Sequence, residues 1–166
     1  LFKKGWQGVN IDLSKTSIDL FKIARPKDTN ICCAISNKTE KKVYFENSPI
    51  NQQNSLIPQS KQQKEIKIQS YKLSEILKLQ NISKVDYINI DTEGNELKVL
   101  YGLDFSTIDP FLLTIEDNSF NIDNENKKEK INYLKKNKYK LINIIGVTMF
   151  FVKKDSVAEI SELIKI

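Results

Sequence analysis

Carboxylates stand where short apolar runs stop. The stretch "VDYINIDTEGNEL" passes from strand-forming residues into Asp91 and Glu93, with Gly94 beside them. "PFLLTIED" ends in Glu116 and Asp117, and "GWQGVNIDL" reaches Asp12. Carboxylates held close together cannot all ionise freely, so one retains a proton, recruits a cation or contacts substrate hydroxyls. Such a group suits general-base work, which makes Asp91, Glu93 and Glu116 the candidate catalytic residues. For Glu116 a surface pairing with a lysine is the alternative. A carboxylate between a strand and a helix can also accept both hydroxyls of a nucleoside ribose. Asp12 is the candidate there, with a helix N-cap as its alternative. Gly94 has no Cβ, so a backbone or ligand can approach the corner closely. Thr92 is a good cap residue, which leaves Asp91 and Glu93 without a capping duty. The glycine is wrongly placed for a calcium-binding EF-hand loop.

Composition removes several other chemistries. The chain of 166 residues has no histidine, so no histidine base, nucleophile or metal ligand operates within it. Its two cysteines, Cys32 and Cys33, are adjacent, and neighbours on an extended strand point to opposite faces. Neither a disulfide framework nor a zinc site follows from them, and a reducing cytoplasm fits. The net charge is +5, but the basic residues are spread along the chain. Nucleic acid is therefore not expected as a partner. No apolar run approaches the roughly 20 residues of a membrane span, and no membrane partner is expected either. No residue is assigned as a metal ligand.

Strands must carry these acids to one place. "GWQGVNIDL" alternates into a strand, and "SKTSIDLFKIARP" reads as a helix capped by Ser14 with Pro26 beyond its end. "TNICCAIS" reads as a strand with apolar residues on both faces, and "KKVYFEN" as an edge strand. "SPINQQNSLIPQSKQQ" reads as a mobile loop. A strand over "KEIKIQSY" and a helix over "KLSEILKLQNI" precede the strand "KVDYINID". The helix "GNELKVLYGL" would bury Leu97, Leu100 and Tyr101; the helix "NENKKEKINYLKKN" would bury Ile131 and Leu134. "YKLINIIG" and "VTMFFVKK" read as a hairpin, and "SVAEISELIKI" as a final amphipathic helix. Alternating strands and helices predict a single α/β domain over residues 1–166. Its sheet is expected to be mainly parallel, with an antiparallel strand pair near the C-terminus. Consecutive apolar residues in "YINI" and "FLLTI" indicate burial on two faces. In such sheets ligands bind at the carboxyl ends of strands.

These residues resemble the FkbM-type methyltransferases. The resemblance rests on "GWQGVNIDLS", "ICCAISN", "NSL" and above all "VDYINIDTEGNELKVLYGLDF" followed by "PFLLTIED". Asp86, Tyr87, Ile90, Asp91, Glu93, Gly94, Glu96, Leu100, Tyr101 and Gly102 match the family pattern, Tyr87 standing for the usual Phe. The resemblance implies a Rossmann-like fold and S-adenosylmethionine-dependent O-methylation of a small-molecule, sugar or glycan hydroxyl. By that analogy Asp12, with Leu13, holds the donor's ribose, and Ala34 and Ile35 lie near its adenine. Asp91, Glu93 and Glu116 frame the transfer site, Ser55 approaches substrate or cofactor, and Asp117 approaches substrate. One departure stands out: only four residues precede Gly5, too few for the family's first strand, Gly-rich loop and helix. The expectation is an N-terminally truncated domain, poorly stable and weak in donor binding. A non-catalytic, degenerate nucleotide- or partner-binding module is the rival reading. No Asn/Asp-Pro-Pro-aromatic motif for amino-group methylation follows the "YINI" strand.

Overall fold

The computed structural model describes residues 1–46, 54–58, 61, 63–118 and 124–156. The chain folds as β1 (Val9–Asp12), α1 (Lys15–Ala24), β2 (Thr29–Cys32), β3 (Ala34–Ile35), β4 (Glu40–Glu46) and β5 (Lys64–Tyr71). There follow α2 (Leu73–Leu79), β6 (Tyr87–Ile90), α3 (Glu96–Tyr101), β7 (Leu112–Glu116), α4 (Glu125–Lys136), β8 (Tyr139–Ile145) and β9 (Thr148–Lys153). This is a mixed α/β architecture. The helix expected over "SVAEISELIKI" lies, apart from its first residue, outside the described residues, as does most of the expected loop between β4 and β5. Among the described residues no helix is long and apolar enough to cross a membrane.

The main core sits under a four-stranded sheet ordered β6-β7-β9-β8. Ile88 and Ile90 of β6, Leu113 and Ile115 of β7, and Met149 and Phe151 of β9 point to one face. Val99 and Leu100 of α3 and Leu134 of α4 close over them. The period of two in these strands puts alternate residues on opposite faces, so the core residues leave Asn89, Asp91, Thr114 and Glu116 on the other side. The remaining strands form a parallel pair, β1-β2, and a three-stranded sheet, β3-β5-β4. Among the described residues β1 and β6 each pair along one edge only, with β2 and β7 respectively.

The sheet expected to be mainly parallel is evenly mixed. β1/β2, β3/β5 and β6/β7 pair parallel; β4/β5, β7/β9 and β8/β9 pair antiparallel. Strand direction follows from the connection. Among the described residues no helix lies between β4 and β5, and neighbours without a helical crossover pair antiparallel. The C-terminal hairpin is present as read, with β8 and β9 in antiparallel register.

Two helices differ from their sequence reading. The buried stripe of α3 is Glu96, Val99 and Leu100, whereas Leu97 is half-buried and Tyr101 exposed. On α4 the inner face carries Lys127, Lys130 and Leu134, with Ile131 only partly covered. Residues three and four apart share a helix face. The stripe 127, 130, 134 obeys that spacing, and lysines occupy two of its positions because carboxylates face them.

Candidate active site

Register brings the acids together. β6 and β7 pair parallel with Asn89 opposite Thr114 and Ile90 opposite Ile115. One step further sets Asp91 beside Glu116, on the sheet face away from the core. The same face is tied below them: Thr114 Oγ1 donates to Asn89 Oδ1 at 2.6 Å and lies 2.7 Å from the Tyr87 hydroxyl. Glu116 is held above the usual carboxylate range by burial first, then by hydrogen-bond contact with Asp91 and by the charges of Asp91, Glu93 and Glu96. Glu93 is raised by burial and by the charges of Asp91 and Glu96. Asp12 is raised by burial and by Asp91, against a lowering from its bond to the Ser14 amide. Asp91 thus acts electrostatically on both other strand tips.

The turn between β6 and α3 holds Glu93 in a conformation that L-residues avoid. Its φ is 52°, and Gly94 follows at 102°. The expectation that Thr92 caps α3 is not met. The helix begins at Glu96, behind Asn95, whose side chain makes no capping bond. Instead Glu96 Oε1 accepts from Gly94 N at 2.8 Å, Thr92 Oγ1 at 3.1 Å and Thr92 N at 3.2 Å. A carboxylate that satisfies several N–H and O–H donors of one turn fixes its backbone. From the other side Ser55 Oγ donates to the Glu93 carbonyl at 3.0 Å.

Two cavities meet at this corner. One, of about 430 Å³, is walled by Asp12, Leu13, Cys33, Ile35, Asp91, Glu93 and Glu116, among others. The second, of about 580 Å³, is bounded by Asn37, Tyr101, Asp117, Asn118 and Lys130 and again by Asp91, Glu93 and Glu116. Both fall in the roughly 300–1,000 Å³ range of small-molecule sites. The three acids are the partition that the cavities share. Among the described residues no group of three or more His, Cys, Asp or Glu is arranged to hold a metal ion.

Of the residues singled out from the sequence, Asp12, Leu13 and Ile35 line the first cavity. Ser14 is the N-cap of α1, and Asp12 Oδ1 accepts the Ser14 amide at 2.7 Å, so Oδ2 makes no described hydrogen bond. Ala34 is fully buried and forms no part of the wall. Alternation along the strand turns it away and presents Cys33 and Ile35 instead. Ser55 is also fully buried, its hydroxyl engaged by Glu93 O and by Ile57 N at 3.1 Å. Asp117 borders the second cavity but is only 5% exposed and bonds Lys130. Sequence reading missed Cys33, Lys130 and the role of Glu96. The spacing of Lys127, Lys130 and Leu134 was the available signal for the lysine.

Comparison with curated proteins gives no match, and neither does comparison with solved structures. The model of the methyltransferase FkbM domain matches residues 1–141. That span contains β1 to α4 and every acid of the shared partition, and the chain belongs to the FkbM methyltransferase family.

Proposed function

We propose that this chain carries the site of an S-adenosylmethionine-dependent O-methyltransferase whose acceptor is a small-molecule or sugar hydroxyl. The observation that carries the reading is the carboxylate partition between two cavities. A group-transfer enzyme needs donor and acceptor held on either side of one reactive point, and positioning supplies much of the rate. The first cavity fits the donor's chemistry. Asp12 keeps an oxygen for ribose hydroxyls, and Ile11, Leu13 and Ile35 offer apolar walls to an adenine. When bound, S-adenosylmethionine supplies an electrophilic methyl group on a cationic sulfonium, and the acidic surroundings favour that charge.

The protein's own task is to ready the acceptor. An alcohol must lose its proton as its oxygen becomes bonded to carbon. Asp91 is placed to accept that proton, with Glu116 in hydrogen-bond contact to share it. Burial and mutual repulsion make Glu93 and Glu116 stronger bases than free carboxylates. Ser55 acts by holding the Glu93 backbone. The neutral amides of Asn37 and Asn118 and the Tyr101 hydroxyl suit a polyol in the second cavity.

Donor binding by calorimetry and release of S-adenosylhomocysteine over a panel of sugars and simple alcohols test the reading. Asp91→Asn should lower turnover at least about a hundredfold while donor affinity stays within about twofold. Unchanged turnover removes Asp91 from the mechanism. Donor binding without transfer to any alcohol supports the binding-module alternative.

A further inference from the structure

Lys130 reaches the acidic corner from below. It belongs to α4, far in sequence from the acids, and its side chain is 8% exposed. Its ammonium lies 3.1 Å from Glu96 Oε2 and 2.9 Å from Asp117 Oδ2. Lys127, one turn earlier on the same face, is 4.0 Å from Asp117 Oδ1. Buried ion pairs of this kind rarely add net stability, because removing the charges from water costs about as much as their attraction returns. Apolar residues of similar volume in place of the lysine and both carboxylates together would serve stability as well. The arrangement therefore calls for a reason beyond stability.

Connectivity supplies one. Glu96 uses its other oxygen to hold Thr92 and Gly94, the residues on either side of Glu93. Asp117 directly follows Glu116 on the chain. The single ammonium of Lys130 thus joins the mount of Glu93 to the mount of Glu116. The β6/β7 ladder ties the strands below these segments, while at their tips the acids repel one another. The strained φ of Glu93 needs such an outside restraint, since a lone turn would relax.

We propose that Lys130 is a positioning residue: its ammonium, bridging Glu96 and Asp117, sets the spacing of the Glu93 and Glu116 carboxylates across the two cavities. The proposal deepens the methyl-transfer reading and rests on it for its catalytic consequence. Its structural part stands alone.

The test compares Lys130→Met, which keeps length without charge, with Lys130→Arg, which keeps charge. Amide hydrogen exchange is measured residue by residue in the whole chain. In Lys130→Met the Glu96 carboxylate loses its anchor, and exchange at Thr92 and Gly94 should rise about tenfold, the scale of one charge-assisted hydrogen bond. Core amides of Leu113 and Ile115 should rise less than those of the turn, and Lys130→Arg should restore protection at the turn. Lys127→Met, which leaves the Glu96 contact in place, should not move Thr92 or Gly94. In methyl transfer, Lys130→Met should lower kcat about tenfold with donor KM within about twofold, and arginine should rescue it. If Lys130→Met does not fold, Lys130→Gln carries the same test with a rise of about threefold. Unchanged exchange at Thr92 and Gly94, or a uniform rise that includes the core, overturns the proposal. Altered exchange with no methyl transfer even in the unsubstituted chain overturns the methyl-transfer reading and leaves the positioning role intact.

Discussion

The tips of β1 and β6 both carry a carboxylate into the same cavity, yet they rest on unequal foundations. β6 belongs to a four-stranded sheet whose inner residues, Leu113, Ile115 and Met149, are completely buried. β1 belongs to a two-stranded pair, and all four of its own residues are only partly covered. The proposed base and its partner thus stand on the rigid half, and the proposed ribose acid on the thinner one. Chemistry that tolerates little displacement is mounted where packing permits least. The proposed donor site falls on the less buried part.

The four-stranded sheet and its helix α3 are stitched to the three-stranded sheet at a few points. Asn95 Nδ2 donates to the Ile35 carbonyl at 2.8 Å, and Ser55 links the β4 side to Glu93. Gly102 packs so closely on Ser36 that a Cβ would collide with the Ser36 carbonyl oxygen.

The comparison can be broken most directly by truncating a core residue on each side. Leu113→Ala should cost about 3–4 kcal/mol, seen as a fall of roughly 8–12 °C in Tm. Ile11→Ala, on the thin pair, should cost only about 1 kcal/mol. Equal losses would mean that the halves are equally well founded. Gly102→Ala comes next. Its added methyl meets backbone, which cannot swing aside, so a loss of about 2 kcal/mol is expected. Hydrogen exchange should then rise first in β3, next to the seam, and not in β7.

The smallest effect has the opposite sign. Glu116 titrates above its ordinary 4.5, so its protonated form favours the fold. That contribution is fully present below about pH 4.5 and is lost as pH rises through the higher folded value. At neutral pH the charged Glu116 opposes folding. Glu116→Gln should therefore raise Tm by about 2 °C at pH 7. The advantage should vanish below about pH 4.5, where both states hold the proton. A destabilised Glu116→Gln at pH 7 would show that the carboxylate is held by attraction and not by crowding.

Much of this was legible in the chain. Ser14 capping α1, the strands carrying "YINI" and "LLTIE", and the hairpin of β8 and β9 all follow from local pattern. So does the placing of Asp12, Asp91 and Glu116 at strand ends, since an apolar run that stops at an acid marks where burial ends. Thr92 was misjudged as a cap because Glu96, four residues on, competes for the same turn. The inner face of α4 was misjudged because a lysine reads as exposed until its partners are known.

What the sequence determined alone is what depends on near neighbours: which segments extend, which coil, and which acids terminate strands. Periodicity and capping act within a few residues, and they leave their record in the order of residue types. The tertiary structure decided the rest: the turning of Cys33 instead of Ala34 to the cavity, and the meeting of Lys130 with Glu96 across 34 positions. Those outcomes depend on which distant surfaces come into contact. Burial then changes the free energy of a charge by more than any local preference can signal.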